Sequence, residues 1–92
     1  MVRVVVVYDI SDDGKRARLA GQLKRLGLAR IQRSAFTGRL DSSRLKDLYR
    51  VCSRYADEPR DVIHVFTLCG YDWSRRRAFG NYAEVVEDVV VV

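Results

Sequence analysis

The sequence has little cysteine and histidine and no long apolar run. Its two cysteines, Cys52 and Cys69, are too few to staple a secreted fold and form no C-x-x-C pair, so we expect both to be reduced and buried. The single histidine, His64, lies between Ile63 and Val65 in a predicted strand, so we expect it to be structural, which leaves no histidine-based triad or zinc cluster. No stretch reaches the roughly 18 apolar residues of a membrane helix, and residues 1–10 lack a signal-peptide pattern. We therefore expect a cytoplasmic protein without membrane contact.

The charge is one-sided, and no familiar motif accounts for it. There is no G-x-G-x-x-G, no P-loop, no H-E-x-x-H and no aromatic-rich signature of an RNA-recognition motif. The chain has 14 arginines against 3 lysines and a net charge of +5. The planar fork of arginine matches phosphate oxygens, so this composition suits a polyanionic ligand. A GC-rich genome, or surface ion pairs in a hot-growing host, gives the same composition, so the positions of the arginines must decide.

The first half of the chain predicts a strand, a helix and a strand region. Residues 2–10 form a strand because four consecutive valines are β-branched and lack polar alternation, as in a strand buried on both faces. Polar residues 11–13 supply the N-cap of a helix over residues 14–27. Residues 29–40 alternate like one kinked strand or two short ones, with Gly38 offering a bend or bulge.

The second half predicts a helix and at least two strands. Asp41 or Ser42 caps a helix that has one apolar stripe and ends before Asp57, and residues 60–68 form an apolar strand. The segment after Gly70 is either a short strand or an irregular connection. Residues 83–92 end in four valines, which predicts a C-terminal strand.

This element order predicts one domain over residues 1–92 with an α+β fold. The order is that of a ferredoxin-like βαββαβ sandwich with an extra C-terminal strand. Both helices then lie on one face of the sheet, and a second copy packing sheet against sheet would cover the other. We therefore expect a homodimer, with residues 83–92 added to the sheet of the partner.

Asp9 is the carboxylate with the clearest chemical potential. It follows an unbroken apolar run, so it emerges where the first strand leaves the core. In a two-fold dimer it would approach its symmetry mate, and two adjacent carboxylates favour a shared cation such as Mg²⁺ or Mn²⁺. The alternative is that Asp9, with Asp12 and Asp13, only favours the start of the helix. Tyr8 either stacks on a base or sugar or fills the core.

The basic residues fall into three sets. They are Arg16 and Arg18 in the first helical turns, Arg30 and Arg33 on the second strand with Phe36 following, and the run Arg75 to Arg77. Basic side chains beside aromatics suit a nucleic-acid strand, which favours the first two sets. A run of charge is more often a solvated surface, which is our interpretation of the third.

With these residues identified, the sequence resembles the CRISPR-associated Cas2 family. The resemblance rests on three stretches, Tyr8 to Asp13, Arg30 to Gly38 and Leu40 to Lys46, in this order. It implies a homodimer in which the two copies of Asp9 face each other and bind a divalent metal. By motif position it also implies substrate-contact or activity-supporting roles for Tyr8, Arg16, Arg18, Arg30, Ser34 and Phe36.

The resemblance leaves three functions open. The first is a metal-dependent endonuclease, acting on single-stranded RNA, on double-stranded DNA or on both, in spacer acquisition during antiviral defence. The second is a non-catalytic adaptor that bridges subunits of the CRISPR integrase and holds DNA. The third is a ribonuclease toxin of the virulence-associated D type, which shares the fold.

Overall fold

The computed structural model describes residues 1–80 and confirms an α+β fold. The elements of these residues are β1 (Val2–Asp9), α1 (Asp13–Arg25), β2 (Ala29–Gln32), β3 (Ala35–Leu40), α2 (Ser42–Tyr55), β4 (Val62–Leu68) and α3 (Gly70–Ser74). The strands form one antiparallel sheet in the order β2-β3-β1-β4, which is the order of a ferredoxin-like domain. The predicted strand over residues 83–92 lies outside the described residues. None of the helices described is long and apolar enough to cross a membrane.

The two faces of β1 lie in different surroundings. Val4, Val6 and Tyr8 point toward α1 and α2 and are at most 4% exposed. The alternate residues point to the opposite face, where Val7 is 39% exposed and Asp9 is exposed. Within the single chain β1 is therefore covered by the long helices on one face only, as the predicted helix arrangement implies, and the covering of its other face by a second copy stays a prediction.

The helices on the covered face begin at acidic caps. The side chain of Asp12 accepts a hydrogen bond from the Lys15 backbone N–H at 2.7 Å, and that of Asp41 accepts one from the Arg44 N–H at 2.8 Å. Each carboxylate satisfies a backbone donor that the helix itself leaves unpaired. Asp41, rather than Ser42, is therefore the cap of α2.

Gly38 has a different role from the bend or bulge that its position suggests. It pairs regularly with Val4 inside β3, and the irregular step lies instead between Arg30 and Gln32 of β2. A Cβ at Gly38 would stand 2.6 Å from Cδ2 of Leu28 and 3.3 Å from a backbone atom of the same residue. Glycine is needed here because the connection before β2 packs directly on the strand.

Gly38→Ala is expected to destabilise the protein by about 1–3 kcal/mol, because the added methyl group overpacks a filled site. Gly21→Ala is the matched control, since a Cβ at Gly21 meets nothing within 4 Å and the residue lies inside α1. Alanine is preferred over glycine by roughly 1 kcal/mol in a helix, so the control should gain stability. Urea unfolding measures the change in the free energy of unfolding for both variants. A change in the same direction for Gly38→Ala and Gly21→Ala would contradict this explanation.

The segment after β4 is a short helix, which the sequence left undecided. α3 packs across the sheet face opposite α1 and α2, where Trp73 lies against the guanidinium of Arg3 at 4.1 Å from the ring centroid. Cys69 is exposed and caps this helix by accepting from the Asp72 N–H at 3.5 Å. The prediction of a buried cysteine is thus wrong for Cys69. It is confirmed for Cys52, where burial raises the pKa of the thiol to about 11.

Candidate nucleic-acid and metal site

Asp9 is the last residue of β1 and lies on the face that α1 and α2 leave uncovered. It pairs with Val62, the first residue of β4, and its side chain is exposed to solvent. Asp12 is the N-cap of α1, and Asp13 occupies its first turn. Asp12 and Asp13 therefore stabilise the start of α1, whereas Asp9 is part of β1.

Tyr8 and Phe36 lie on the opposite side of the sheet from Asp9. Their rings stack with centroids 6.3 Å apart, and they are 4% and 0% exposed. Tyr8 therefore fills the core, and its ring is not available to a base. Its hydroxyl group is buried and has no hydrogen-bond partner within residues 1–80. Burial raises the pKa of this hydroxyl above its ordinary value, while Arg30 and Arg16 oppose the rise.

Two of the predicted arginines lie near enough to this tyrosine to act on its hydroxyl electrostatically. The guanidinium of Arg30 lies over the Phe36 ring, 5.0 Å from its centroid, and donates to the backbone oxygen of Arg33 at 2.9 Å. Arg16 donates to the backbone oxygen of Ile10 at 2.9 Å and also pairs with Asp13. The structure therefore fixes both cations by contacts to the backbone near the strand ends. Each still presents further N–H groups, since a guanidinium carries five.

The remaining predicted residues occupy different places. Ser34 is half-buried, and its backbone oxygen accepts from the Tyr8 N–H at 3.0 Å, which extends the pairing of β1 with the β2-β3 connection. Arg18 is exposed and lines a groove of about 890 Å³ between the ends of α1 and α2. Arg54 and Arg60 line the same groove. The structure thus gathers Tyr8 and Phe36 with two arginines and leaves Arg18 and Asp9 on separate surfaces.

Exposed apolar side chains continue from Asp9 along its face of the sheet. Val7, Val62 and Phe66 are 39%, 43% and 51% exposed, and the antiparallel register of β1 with β4 places them on one surface. His64 stacks on Phe66 with ring centroids 6.0 Å apart. We call these four residues the open-face patch. α3 covers the opposite end of the same face, near Arg3. The patch therefore lies at the end of the face that carries Asp9, which pairs with Val62.

A single chain does not assemble a set of metal ligands in the part that the structure describes. No group of three or more histidine, cysteine, aspartate or glutamate side chains is close enough to hold an ion. Asp9 nevertheless suits a Mg²⁺ ion, because this metal typically uses one or two protein carboxylates and takes water or phosphate oxygens for its other positions.

A buried carboxylate beside the site escaped the sequence analysis. The side chain of Asp61 is 1% exposed, and one of its oxygens accepts from the Ser11 N–H at 3.1 Å and from the Ser11 hydroxyl at 3.2 Å. Its other oxygen accepts from the Lys15 ammonium at 2.7 Å, and Lys15 also pairs with the exposed Asp57. The only sequence signal is an acid directly before an apolar strand, which does not reveal its partners.

These contacts predict a pH dependence of stability. Hydrogen bonds from Lys15 and from the Ser11 backbone hold the pKa of Asp61 below its ordinary value of 3.8. The stabilisation is therefore complete above that value and is lost as the pH falls through the lowered pKa. Asp61→Asn should lower the urea midpoint at pH 7, and the gap between variant and parent should narrow in acid below the ordinary carboxyl pKa. A difference between the two urea midpoints that does not change with pH would contradict a stabilising role for the ionised Asp61 carboxylate.

The comparison with known families decides the identity of the fold. The family model described as "CRISPR associated protein Cas2" matches residues 1–76. The chain belongs to the Cas2 family. This match includes every helix and strand described above and all of the predicted site residues. It selects Cas2 over the toxin family that the sequence left open.

Curated Cas2 relatives cover much or all of the chain. A "CRISPR-associated endoribonuclease Cas2" of Aeropyrum pernix is 37% identical over 92 residues, which is 100% of both chains. A "CRISPR-associated endoribonuclease Cas2 1" of Archaeoglobus fulgidus is 48% identical over 71% of this chain and 69% of its own. A Cas1/Cas2 fusion of Thermoproteus tenax is 53% identical over 71% of this chain and 25% of its own.

Solved structures confirm the Cas2 architecture. One titled "Crystal structure of cas2" aligns with a TM-score of 0.74 and 26% identity over 97% of this chain and 98% of its own. A hypothetical protein from Thermus thermophilus aligns with a TM-score of 0.67 and 38% identity over 75% of this chain and 83% of its own.

Proposed function

We propose that this Cas2 protein is a metal-dependent endonuclease that acts as a homodimer, with Asp9 of each copy binding one shared Mg²⁺ or Mn²⁺. The observation that carries the proposal is the position of Asp9, exposed at the rim of the open-face patch. The patch is apolar and sits on a sheet face that the long helices do not cover. Covering it with a second copy would bring the two Asp9 strand ends to one interface.

A second copy can cover the open-face patch because the same patch on that copy is also largely apolar. Val7, Val62 and Phe66 are apolar, and the His64 ring stacks with that of Phe66, so two such surfaces would exclude water from each other. Asp9 lies at the rim, where its charge would meet its symmetry mate. A bound divalent cation would offset the repulsion between the two carboxylates.

The residues of the proposed site would have separate roles. Asp9 would hold the cation, which when bound supplies an acidified water and neutralises charge on phosphoryl oxygens. Arg16, Arg18 and Arg30 would bind phosphates of the nucleic acid, since guanidinium groups match phosphate oxygens. Tyr8 is next to Asp9 in the chain, but its hydroxyl is buried and has no hydrogen-bond partner within residues 1–80, so Tyr8 would support the site from the core.

The remaining predicted residues would support this arrangement from the core. Phe36 would hold Arg30 through the stacked guanidinium, and Ser34 would fix the strand end through its backbone bond to Tyr8. Their roles would be to keep the arginine and tyrosine in place, and neither needs to touch the substrate.

The substrate is proposed to be single-stranded RNA, double-stranded DNA or both, cleaved during spacer acquisition in antiviral defence. Curated relatives are named endoribonucleases, which supports RNA. The test incubates the dimer with end-labelled RNA and duplex DNA of matched length, with Mg²⁺, with Mn²⁺ and with excess EDTA. Cleavage that disappears with EDTA supports the proposal, and no metal-dependent cleavage of either substrate contradicts it.

A second candidate function is an adaptor that joins integrase subunits and holds DNA. It is favoured by the Thermoproteus tenax relative, in which a Cas1 endonuclease and a Cas2 endonuclease are fused in one chain. Asp9→Ala separates the candidates when cleavage and DNA integration with the Cas1 partner are measured in parallel. Integration retained without cleavage would show that the adaptor role does not require the metal site.

A further inference from the structure

The carboxylate of Asp61 connects the two segments that carry the proposed site. One oxygen binds Ser11 through its N–H and its hydroxyl, and the other binds the ammonium of Lys15 at 2.7 Å. Ser11 is the second residue after Asp9, and Lys15 directly precedes Arg16 in the first turn of α1. One side chain therefore holds both the exit from β1 and the beginning of α1.

The backbone at Asp61 reinforces this connection. The next residue, Val62, is the ladder partner of Asp9 in β4. The end of β1 is thus held on its sheet side by Val62 and on its far side by the Asp61 contacts to Ser11. A strand end held at consecutive points has little freedom to rotate, so these contacts restrict the backbone from which the Asp9 side chain projects.

The burial of Asp61 distinguishes it from its neighbour Asp57. The side chain of Asp61 is 1% exposed, whereas that of Asp57 is 60% exposed, although both contact Lys15. Exposed ion pairs are screened and contribute little, while a buried, multiply hydrogen-bonded carboxylate fixes the geometry of its partners. Asp57 is therefore a natural control for the charge of this cluster.

We propose that Asp61 is a positioning residue for the Asp9 metal site, acting through Ser11 and Lys15. The inference rests on the proposed function, because it assumes that Asp9 binds a divalent cation. Loss of a hydrogen-bonding partner behind a metal ligand typically weakens metal affinity or activity by about 10–100-fold. The Asp61 contacts act one step further away, so we expect the lower end of this range.

The test measures Mn²⁺ binding to the intact protein by electron paramagnetic resonance, which needs no cleavage. Asp61→Asn keeps an acceptor for Ser11 but places an amide against the Lys15 ammonium, and it should weaken Mn²⁺ binding by about 10-fold. Ser11→Ala removes only the hydroxyl contact and should weaken binding in the same direction by less. Asp57→Asn removes one charge from the same cluster and should leave Mn²⁺ affinity near that of the parent.

Circular dichroism and sedimentation establish that each variant is folded and dimeric before its affinity is compared. If Asp61→Asn is unfolded, Ser11→Ala alone decides, because it leaves the carboxylate and the Lys15 pair in place. If the folded Asp61 and Ser11 variants bind Mn²⁺ as tightly as the parent does, the positioning role is overturned and the Asp9 site still stands. Equal weakening by Asp57→Asn would also overturn it, since the effect would then be one of charge. No Mn²⁺ binding by the parent overturns both proposals.

Discussion

Asp9→Asn is expected to reduce metal-dependent cleavage by about 100-fold or more, because a direct ligand should matter more than the outer partners whose loss typically costs about 10–100-fold. The substitution keeps the size of the side chain and removes its charge. Asp9 is exposed at the end of β1, so the fold should tolerate the change. The measurement is the initial rate of cleavage across a Mg²⁺ titration, with the oligomeric state determined in parallel.

Asp12→Asn is the matched control for this experiment. It removes a carboxylate three residues away, and asparagine is as good an N-cap as aspartate, so α1 should begin as before. Its rate should stay near that of the parent. If Asp9→Asn retains the parent rate while EDTA still abolishes cleavage, the ion is held by other residues and the Asp9 assignment fails.

The structure separates the site residues that the sequence placed together. Tyr8 and Asp9 are neighbours in the chain, yet alternation along a strand sends Tyr8 into the core and Asp9 to the open face. Arg16 and Arg30 accompany Tyr8, so the cations and the carboxylate flank the strand end from opposite sides. A nucleic acid that contacts both the arginines and Asp9 would have to pass the end of β1, where the chain continues from Asp9 to α1.

The sequence predicted most of the fold because its signals are local. Runs of valine, acidic caps and helical stripes are each fixed by a few adjacent residues, and they located β1, α1, α2 and β4 to within about two residues. The split of residues 29–40 into β2 and β3 was one of the two alternatives that the alternation allowed.

The errors have tertiary causes. Gly38 and Cys69 were misjudged because their roles depend on contacts with Leu28 and with the turn that begins α3. Asp61 went unnoticed for the same reason, since its partners lie about 50 residues earlier in the chain. A lone acid before a strand carries no sign of what it will meet, and only the folded register brings it to Ser11.

Phe66→Glu is expected to convert the proposed homodimer into folded monomers and to abolish cleavage. Phe66 is 51% exposed in the single chain, so a glutamate there remains solvated and costs the monomer little. In a dimer packed through the open-face patch the same carboxylate would be buried against its symmetry mate without a cation beside it. An uncompensated buried charge typically costs about 3–5 kcal/mol, which weakens association by a factor of roughly 150 to 5,000.

Tyr49→Glu provides the control, because Tyr49 is an aromatic residue of similar exposure, 47%, on α2 at the other side of the sheet. It should remain dimeric and active. Sedimentation velocity over a range of concentrations measures association, and circular dichroism establishes that both variants are folded. A dimeric Phe66→Glu would mean that the copies meet elsewhere. A monomeric Phe66→Glu that still cleaves with Mg²⁺ would show that one Asp9 suffices, and the shared metal site would then be wrong even though the interface was right.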